Sequence, residues 1–241
     1  MSTEAPPSSP PAEHHRGHRD VTGGWLRPAV FGAMDGLVSN FALISGVVGG
    51  GASSATVVIT GLAGLAAGAC SMAAGEYTSV ASQTELMRAE IEVERTELAR
   101  DPDGELAELT ALYRARGLDE RTAGSVARQL SERPEVAWRV HVREELGVDP
   151  DDLPSPYVAA GSSFTAFALG AIIPVLPFML GADGLLVAAV ASTLALLAAG
   201  AVVARLTARP WWRGALRQLV LGGLAAAATF GIGGLVGAGL S

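Results

Sequence analysis

Long apolar runs, almost free of charged residues, constrain this chain more than any other feature of its sequence. Residues 29–53 carry a single charged side chain, Asp35, and residues 55–81 carry only Glu76. A helix needs about 20 mostly apolar residues to cross the hydrocarbon core of a bilayer. The runs therefore predict an all-α membrane protein. We place its five transmembrane helices near residues 29–51, 55–80, 157–180, 184–206 and 216–239.

The net charge of −7 comes from one segment between the second and third predicted spans. Residues 85–152 carry 18 acidic side chains and 10 arginines, whereas the rest of the chain carries 6 and 7. Such an acidic surface attracts cations and repels nucleic acid, so we expect no nucleic-acid partner. We predict a disordered tail over 1–24, transmembrane helices one and two over 25–84, a helical insert over 85–152, and transmembrane helices three to five over 153–241.

Arginine placement predicts the orientation in the membrane. Arginines precede the first span and lie between the fourth and fifth, whereas the loops at 49–55 and 181–184 carry no basic residue. By the positive-inside rule, the N-terminus and the insert then lie in the cytoplasm. We expect a multi-pass protein of a prokaryotic cell membrane rather than a vacuolar membrane, because no eukaryotic targeting signal is recognisable.

The insert is predicted to be helical. The second span continues as a helix to Arg100, because residues 83–100 lack proline and glycine. Asp101–Gly104 is predicted to form a turn. Asp119 is a plausible N-cap of a later helix. Further helices are predicted over 105–116, 119–132 and 134–147.

Three pairs of potential metal ligands occur at helical spacing in the insert. They are Glu94 with Glu97, Glu105 with Glu108, and His141 with Glu145. Members of each pair lie on one helix face, so three packed helices can direct all six side chains to a common centre. Carboxylates with one imidazole suit Fe²⁺, Mn²⁺ or Zn²⁺, and we expect binding to weaken below about pH 5 as carboxylates protonate. A solvated surface of Glu–Arg pairs is the alternative.

Two carboxylates and one thioether in the first two spans are candidates for an ion path. An ionised carboxylate within hydrocarbon is costly, so Asp35 and Glu76 indicate a functional site by default. Asp35 could instead pair with a neighbouring span, and Glu76 could reach the headgroups. Met72 could simply fill a gap in the core.

The residues around these positions resemble the vacuolar iron transporter (VIT) family. The resemblance is carried by the segments 31–39 (FGAMDGLVS) and 68–77 (GACSMAAGEY), and by the insert with its Glu144–Gly147 ending. It implies a five-helix homodimer that exchanges divalent iron for protons. It also implies a path between the two subunits lined by Asp35 and Met72, with Glu76 one turn further on.

In the insert, the resemblance implies metal ligands at Glu94, Glu97, Glu105, Glu108 and Glu145. At His141 the chain departs from the family, where a methionine ligand is expected. Imidazole is a harder ligand than a thioether, so the departure bears on the choice among Fe²⁺, Mn²⁺ and Zn²⁺.

We therefore predict a secondary transporter, not an enzyme, that moves Fe²⁺ and possibly Mn²⁺ out of the cytoplasm in exchange for protons. A chain without lysine has no phosphate-binding loop of the GxxxxGK[ST] type, which leaves the proton gradient as the energy source. No cofactor is expected beyond the transported or bound metal.

The alternatives are a membrane-anchored metal sensor or buffer, and an iron-oxidising membrane protein. The Glu-x-x-His arrangement of di-iron bundles is absent, which argues against the iron-oxidising alternative.

Overall fold

The fold is an all-helical assembly of five apolar helices and an inserted helical segment. The structure is a computed structural model and describes residues 24–182 and 184–240, so the predicted tail lies almost wholly outside the described residues. The described ranges form helices α1 (Leu26–Gly49), α2 (Ser54–Arg100), α3 (Pro102–Ala115), α4 (Glu120–Ser131), α5 (Pro134–Glu145), α6 (Pro156–Met179), α7 (Leu185–Leu206) and α8 (Trp211–Leu240). By length and composition, α1, α2, α6, α7 and α8 can cross a membrane, which confirms the five predicted spans.

Helix α2 joins the membrane part of the molecule to the insert. Its 47 residues extend over about 70 Å at 1.5 Å per residue. The Ser53 hydroxyl accepts a hydrogen bond from the Thr56 backbone N–H and caps its start. The residues after Gly75 include neither glycine nor proline, so nothing interrupts the helix before Arg100. The domain boundary placed at residue 84 stays a prediction, because α2 is continuous there.

The start of α3 corrects one prediction. The helix begins at Pro102, so the turn predicted over Asp101–Gly104 is wrong. The Asp101 carboxylate accepts a hydrogen bond of 3.0 Å from the Gly104 backbone N–H, and proline suits the first helical position. Asp119 caps α4 in the same way, as predicted.

Glycine allows α1 to pack closely against α6 and α8. A Cβ atom at Gly36 would overlap the backbone carbonyl of Phe167 in α6, and one at Gly233 in α8 would overlap the carbonyl of Gly46. Such small residues let helix backbones approach each other within a membrane. Helix α1 consequently lies at the centre of the membrane part, packed between α6 and α8.

The chain returns from the insert to the membrane beside α2. The buried Thr84 hydroxyl donates a 2.9 Å hydrogen bond to the Pro154 carbonyl, and Ser155 caps α6. This contact fixes the base of the insert to the start of the third membrane helix. The fifth membrane helix begins at Trp211, five residues before the predicted start of its span at residue 216.

The α1–α6 crossing can be tested with a single added methyl group. Gly36→Ala should destabilise the protein by about 1–3 kcal/mol, because the methyl group has no space beside Phe167. Gly161→Ala is the matched control, since a Cβ there would meet no atom within 4 Å. Thermal unfolding in detergent measures both, and an equal effect of the two substitutions would contradict the close crossing.

Candidate metal centre

Three helices of the insert bring four of the six predicted ligands together. Helix α2 supplies Glu94, α3 supplies Glu105, and α5 supplies His141 and Glu145. One potential ligand atom from each residue lies within 4.8 Å of the others. Three carboxylates and one imidazole form the kind of donor set that binds Fe²⁺, Mn²⁺ or Zn²⁺. We call these four residues the insert cluster.

His141 lies at the middle of the insert cluster. Its side chain is 0% exposed, and its Nδ1 atom lies 3.0 Å from Glu145 Oε1. The same nitrogen lies 3.3 Å from Glu94 Oε1 and 3.4 Å from Glu105 Oε2. Oxygens of three carboxyl groups therefore converge on one position, which favours a proton or a metal cation there.

Two buried polar atoms of the insert cluster have no hydrogen-bond partner among the described residues. They are Nε2 of His141 and Oε1 of Glu94, which lies near His141 Nδ1 without hydrogen-bond geometry. A buried polar atom left unpaired costs about 1–3 kcal/mol. Polar atoms in this state suit a site that acquires a ligand.

Apolar neighbours explain why these charged groups are buried. Ile91 lies one turn before Glu94 on α2, and Leu109 lies one turn after Glu105 on α3; both are buried. Val142, next to His141 on α5, is fully buried as well. Burial of these apolar side chains holds the three helices together and takes the adjacent carboxylates out of water.

Burial also changes the acid–base chemistry of the carboxylates. It is the main cause that raises the pKa of Glu94 to about 7, and the charges of Glu145 and Glu105 add to it. Burial, followed by the charges of Glu108 and Glu105, raises the pKa of Glu145 to about 7. Burial raises the pKa of Glu105 too. Glu94 and Glu145 therefore exchange protons readily near neutral pH. The expectation that metal binding weakens below about pH 5 stays a prediction.

Glu97 and Glu108, the other two predicted ligands, lie outside the insert cluster. Both side chains are exposed. Their charges nevertheless contribute to the raised pKa values of Glu105 and Glu145, so they are close enough to act on the cluster electrostatically. They are placed to attract a cation at the rim.

The alternative of a solvated surface of Glu–Arg pairs does not describe the insert cluster. Nearby arginines pair with other acids: Arg114 with Glu120 at 2.8 Å and Arg143 with Asp149 at 2.7 Å. Within the described residues, no arginine forms an ion pair with any of the six predicted ligands.

Glu144, which precedes the predicted ligand Glu145, has a structural role that the sequence pattern did not indicate. Its carboxylate accepts a 3.2 Å hydrogen bond from the Tyr113 hydroxyl and forms an ion pair with Arg116. These contacts fasten α5 to the end of α3, so they hold two ligand-bearing helices in register. The sequence signals were its position beside a predicted ligand and its place in the Glu144–Gly147 ending.

The candidates of the ion path lie on α1 and α2. Asp35 is partly buried, and no ion pair of its carboxylate is found among the described residues. Met72 packs against the group formed by Ala69, Phe167 and Ala171. It therefore contributes to the core, as in the alternative that it fills a gap there. Gly36, next to Asp35, meets the backbone of the same Phe167, which places Asp35 and Met72 at a similar depth.

Glu76 lies one turn beyond Met72 on α2 and is partly buried. It thus continues the line from Met72 towards the insert.

Asn40 is a buried polar residue of α1 that the sequence did not single out. Its amide nitrogen donates to the carbonyls of Gly61 on α2 and Ala171 on α6, at 3.1 and 2.6 Å. It therefore fixes α1 relative to α2, which carries Met72, and to α6, which packs against Met72.

Comparison with known proteins gives matches to one family. Residues 26–234 match the sequence profile described as the VIT family. A vacuolar iron transporter of Acanthamoeba castellanii is 41% identical over 217 residues, which cover 88% of this chain and 78% of that protein. Vacuolar iron transporter 2 of Oryza sativa is 33% identical, with 91% of each chain covered. Vacuolar iron transporter 1 of Arabidopsis thaliana is 32% identical over 90% of this chain and 88% of its own length. Because the profile match runs through the membrane helices and the insert alike, the chain belongs to the VIT family.

Proposed function

We propose that this protein transports Fe²⁺ out of the cytoplasm in exchange for protons, with Mn²⁺ as a second substrate. The observation that carries the proposal is the buried insert cluster, in which three carboxylates converge on Nδ1 of His141. Its relatives named vacuolar iron transporters support iron as the substrate. The orientation follows from the positive-inside rule, which places the insert in the cytoplasm.

The insert cluster serves as the loading site. Exposed Glu97 and Glu108 attract a divalent cation to the rim, and the four residues of the insert cluster bind it. The imidazole of His141 is a harder ligand than a thioether, so the site also accepts Zn²⁺. Binding displaces protons from the carboxylates, because only the ionised forms are good ligands.

Helix α2 provides the connection between the loading site and the membrane. Glu76 precedes Glu94 by 18 residues on this one helix, a separation of about 27 Å along its axis. We place the path along Glu76, Met72 and Asp35. Two subunits form a homodimer whose first and second membrane helices enclose it, and the largely exposed apolar part of α2 is available for this contact.

Proton coupling follows from competition at the carboxylates of the path. A protonated Asp35 or Glu76 is a poor metal ligand, so proton entry from the opposite side releases the metal. A membrane anchor for a metal sensor has no need of an unpaired carboxylate within α1, and for this reason we favour transport over sensing.

Removing one carboxylate tests the loading site. Glu94→Gln keeps the size of the side chain but removes a ligand charge, and should weaken Mn²⁺ binding to the insert about tenfold or more. Glu90→Gln, on an exposed position one turn earlier, removes the same charge and should bind as the unmodified protein does. Calorimetric titration of the full chain measures both. Equal affinities would show that the insert cluster is not the binding site.

The raised pKa values predict proton release on metal binding. The carboxyl groups of Glu94 and Glu145, with pKa about 7, hold protons in the folded metal-free protein that an unfolded chain would have lost. They therefore stabilise the metal-free fold at low pH, and this stabilisation disappears as the pH rises through about 7.

Mn²⁺ binding should release one to two protons at about pH 6 and almost none at about pH 9. Titration in two buffers of different ionisation enthalpy measures the proton count. Release that does not change across this range would contradict the raised pKa values.

Asp35 is expected to be essential for transport. Asp35→Asn keeps the shape of the side chain but removes its charge and its ability to carry a proton. Proteoliposomes of this variant should show no proton-driven Fe²⁺ flux, while the insert still binds metal. Asp152→Asn, at an exposed position of the insert, is the control and should transport normally. Flux through Asp35→Asn at the control rate would place the path elsewhere.

A further inference from the structure

Four arginines meet at the end of the membrane helices that faces the insert. Arg27 and Arg217 line a cavity of about 530 Å³ between α1, α7 and α8. Arg209, Arg213 and Arg217 line an adjoining cavity of about 510 Å³. The two cavities share lining residues, Arg217 among them, and form one continuous surface that we call the arginine groove.

The arginines of the groove have no negative partner within the described part of the chain. None of the four forms an ion pair there, whereas insert arginines such as Arg114 and Arg143 do. Arg213 lies instead over the ring of Trp212, 5.1 Å from its centroid. Arg213 and Arg217 are four residues apart on α8, a spacing at which like charges repel. An anion from outside the chain would offset this repulsion.

The other half of the groove is apolar. It is lined by Leu26, Val30, Phe31 and Met34 of α1 and by Val203 and Leu206 of α7. Phe31 is 58% exposed. Exposed Trp25, Trp211 and Trp212 lie at the polar end, where tryptophan marks the level of lipid headgroups. One groove thus offers cations at headgroup depth and an apolar channel below them.

We propose that the arginine groove binds an anionic phospholipid from the leaflet on the insert side. Guanidinium groups of Arg209, Arg213 and Arg217 bind the phosphate, and one acyl chain lies along the apolar half. A free phosphate ion would use only the arginines, whereas a lipid occupies both halves of the groove. The lipid then contacts α1 at Met34, directly before Asp35 in the sequence.

Native mass spectrometry of the full-length protein tests the proposal. The protein is incubated with mixed micelles of phosphatidylglycerol and phosphatidylcholine that carry identical acyl chains. The unmodified protein should retain phosphatidylglycerol in preference to phosphatidylcholine. Arg213→Gln with Arg217→Gln should weaken this retention about 25-fold, since each arginine near a headgroup contributes about fivefold. Arg88→Gln with Arg121→Gln removes the same charge from exposed positions of α2 and α4 and should have no effect.

Two further arms separate the possible explanations. Arg213→Lys with Arg217→Lys keeps the positive charge that orients the helices, so this variant should insert normally. Because lysine cannot make the bidentate contacts of arginine, its retention of phosphatidylglycerol should be intermediate. Inorganic phosphate should not displace the bound phosphatidylglycerol. Displacement by phosphate, equal retention of the two lipids, or equal losses in the two glutamine variants would each overturn the proposal.

Discussion

Carboxylates lose their hydration when they are buried, and the insert of this protein buries Glu94 and Glu105 and partly buries Glu145 around one imidazole. The cost is visible in the pKa values of Glu94 and Glu145, which rise to about 7. A proton or a divalent cation would each relieve the repulsion. Competition between the two at the insert cluster is the chemistry that the proposed metal–proton exchange requires.

The continuity of α2 connects this chemistry to the membrane. A single helix carries Glu94 at the cluster and Met72 and Glu76 within the span. The hydrogen bond from Thr84 to Pro154 fixes the base of the insert to the start of α6, and Asn40 ties α1 to α2 and α6. The insert and the candidate path are thus parts of one packed framework.

Much of this arrangement could be predicted from the sequence, because the signals are local. Apolar runs of about 20 residues located all five candidate membrane helices, and the ligand pairs at helical spacing included the four residues that the structure brings together. The sequence spacing of the ligand pairs does not predict that Glu94 is buried and Glu97 is exposed. Three residues leave side chains about 60° apart around a helix, and the packing of α3 and α5 decides which one turns inward.

Other features depend on contacts that no sequence window contains. The sequence around Pro102 predicts a turn, but α3 begins at this proline. Proline suits the first helical position, and the Asp101 side chain caps the helix. The arginine groove is formed by α1, α7 and α8, which come from both ends of the chain. In the sequence alone, its arginines therefore indicated only the orientation in the membrane.

Anomalous diffraction from Mn²⁺-soaked crystals of the full chain shows directly whether a divalent metal binds at the insert cluster. We expect a peak within direct coordination distance of Nδ1 of His141 and of carboxylate oxygens of Glu94, Glu105 and Glu145. A peak confined to exposed acids such as Asp101 and Asp103, with none at His141, would contradict it.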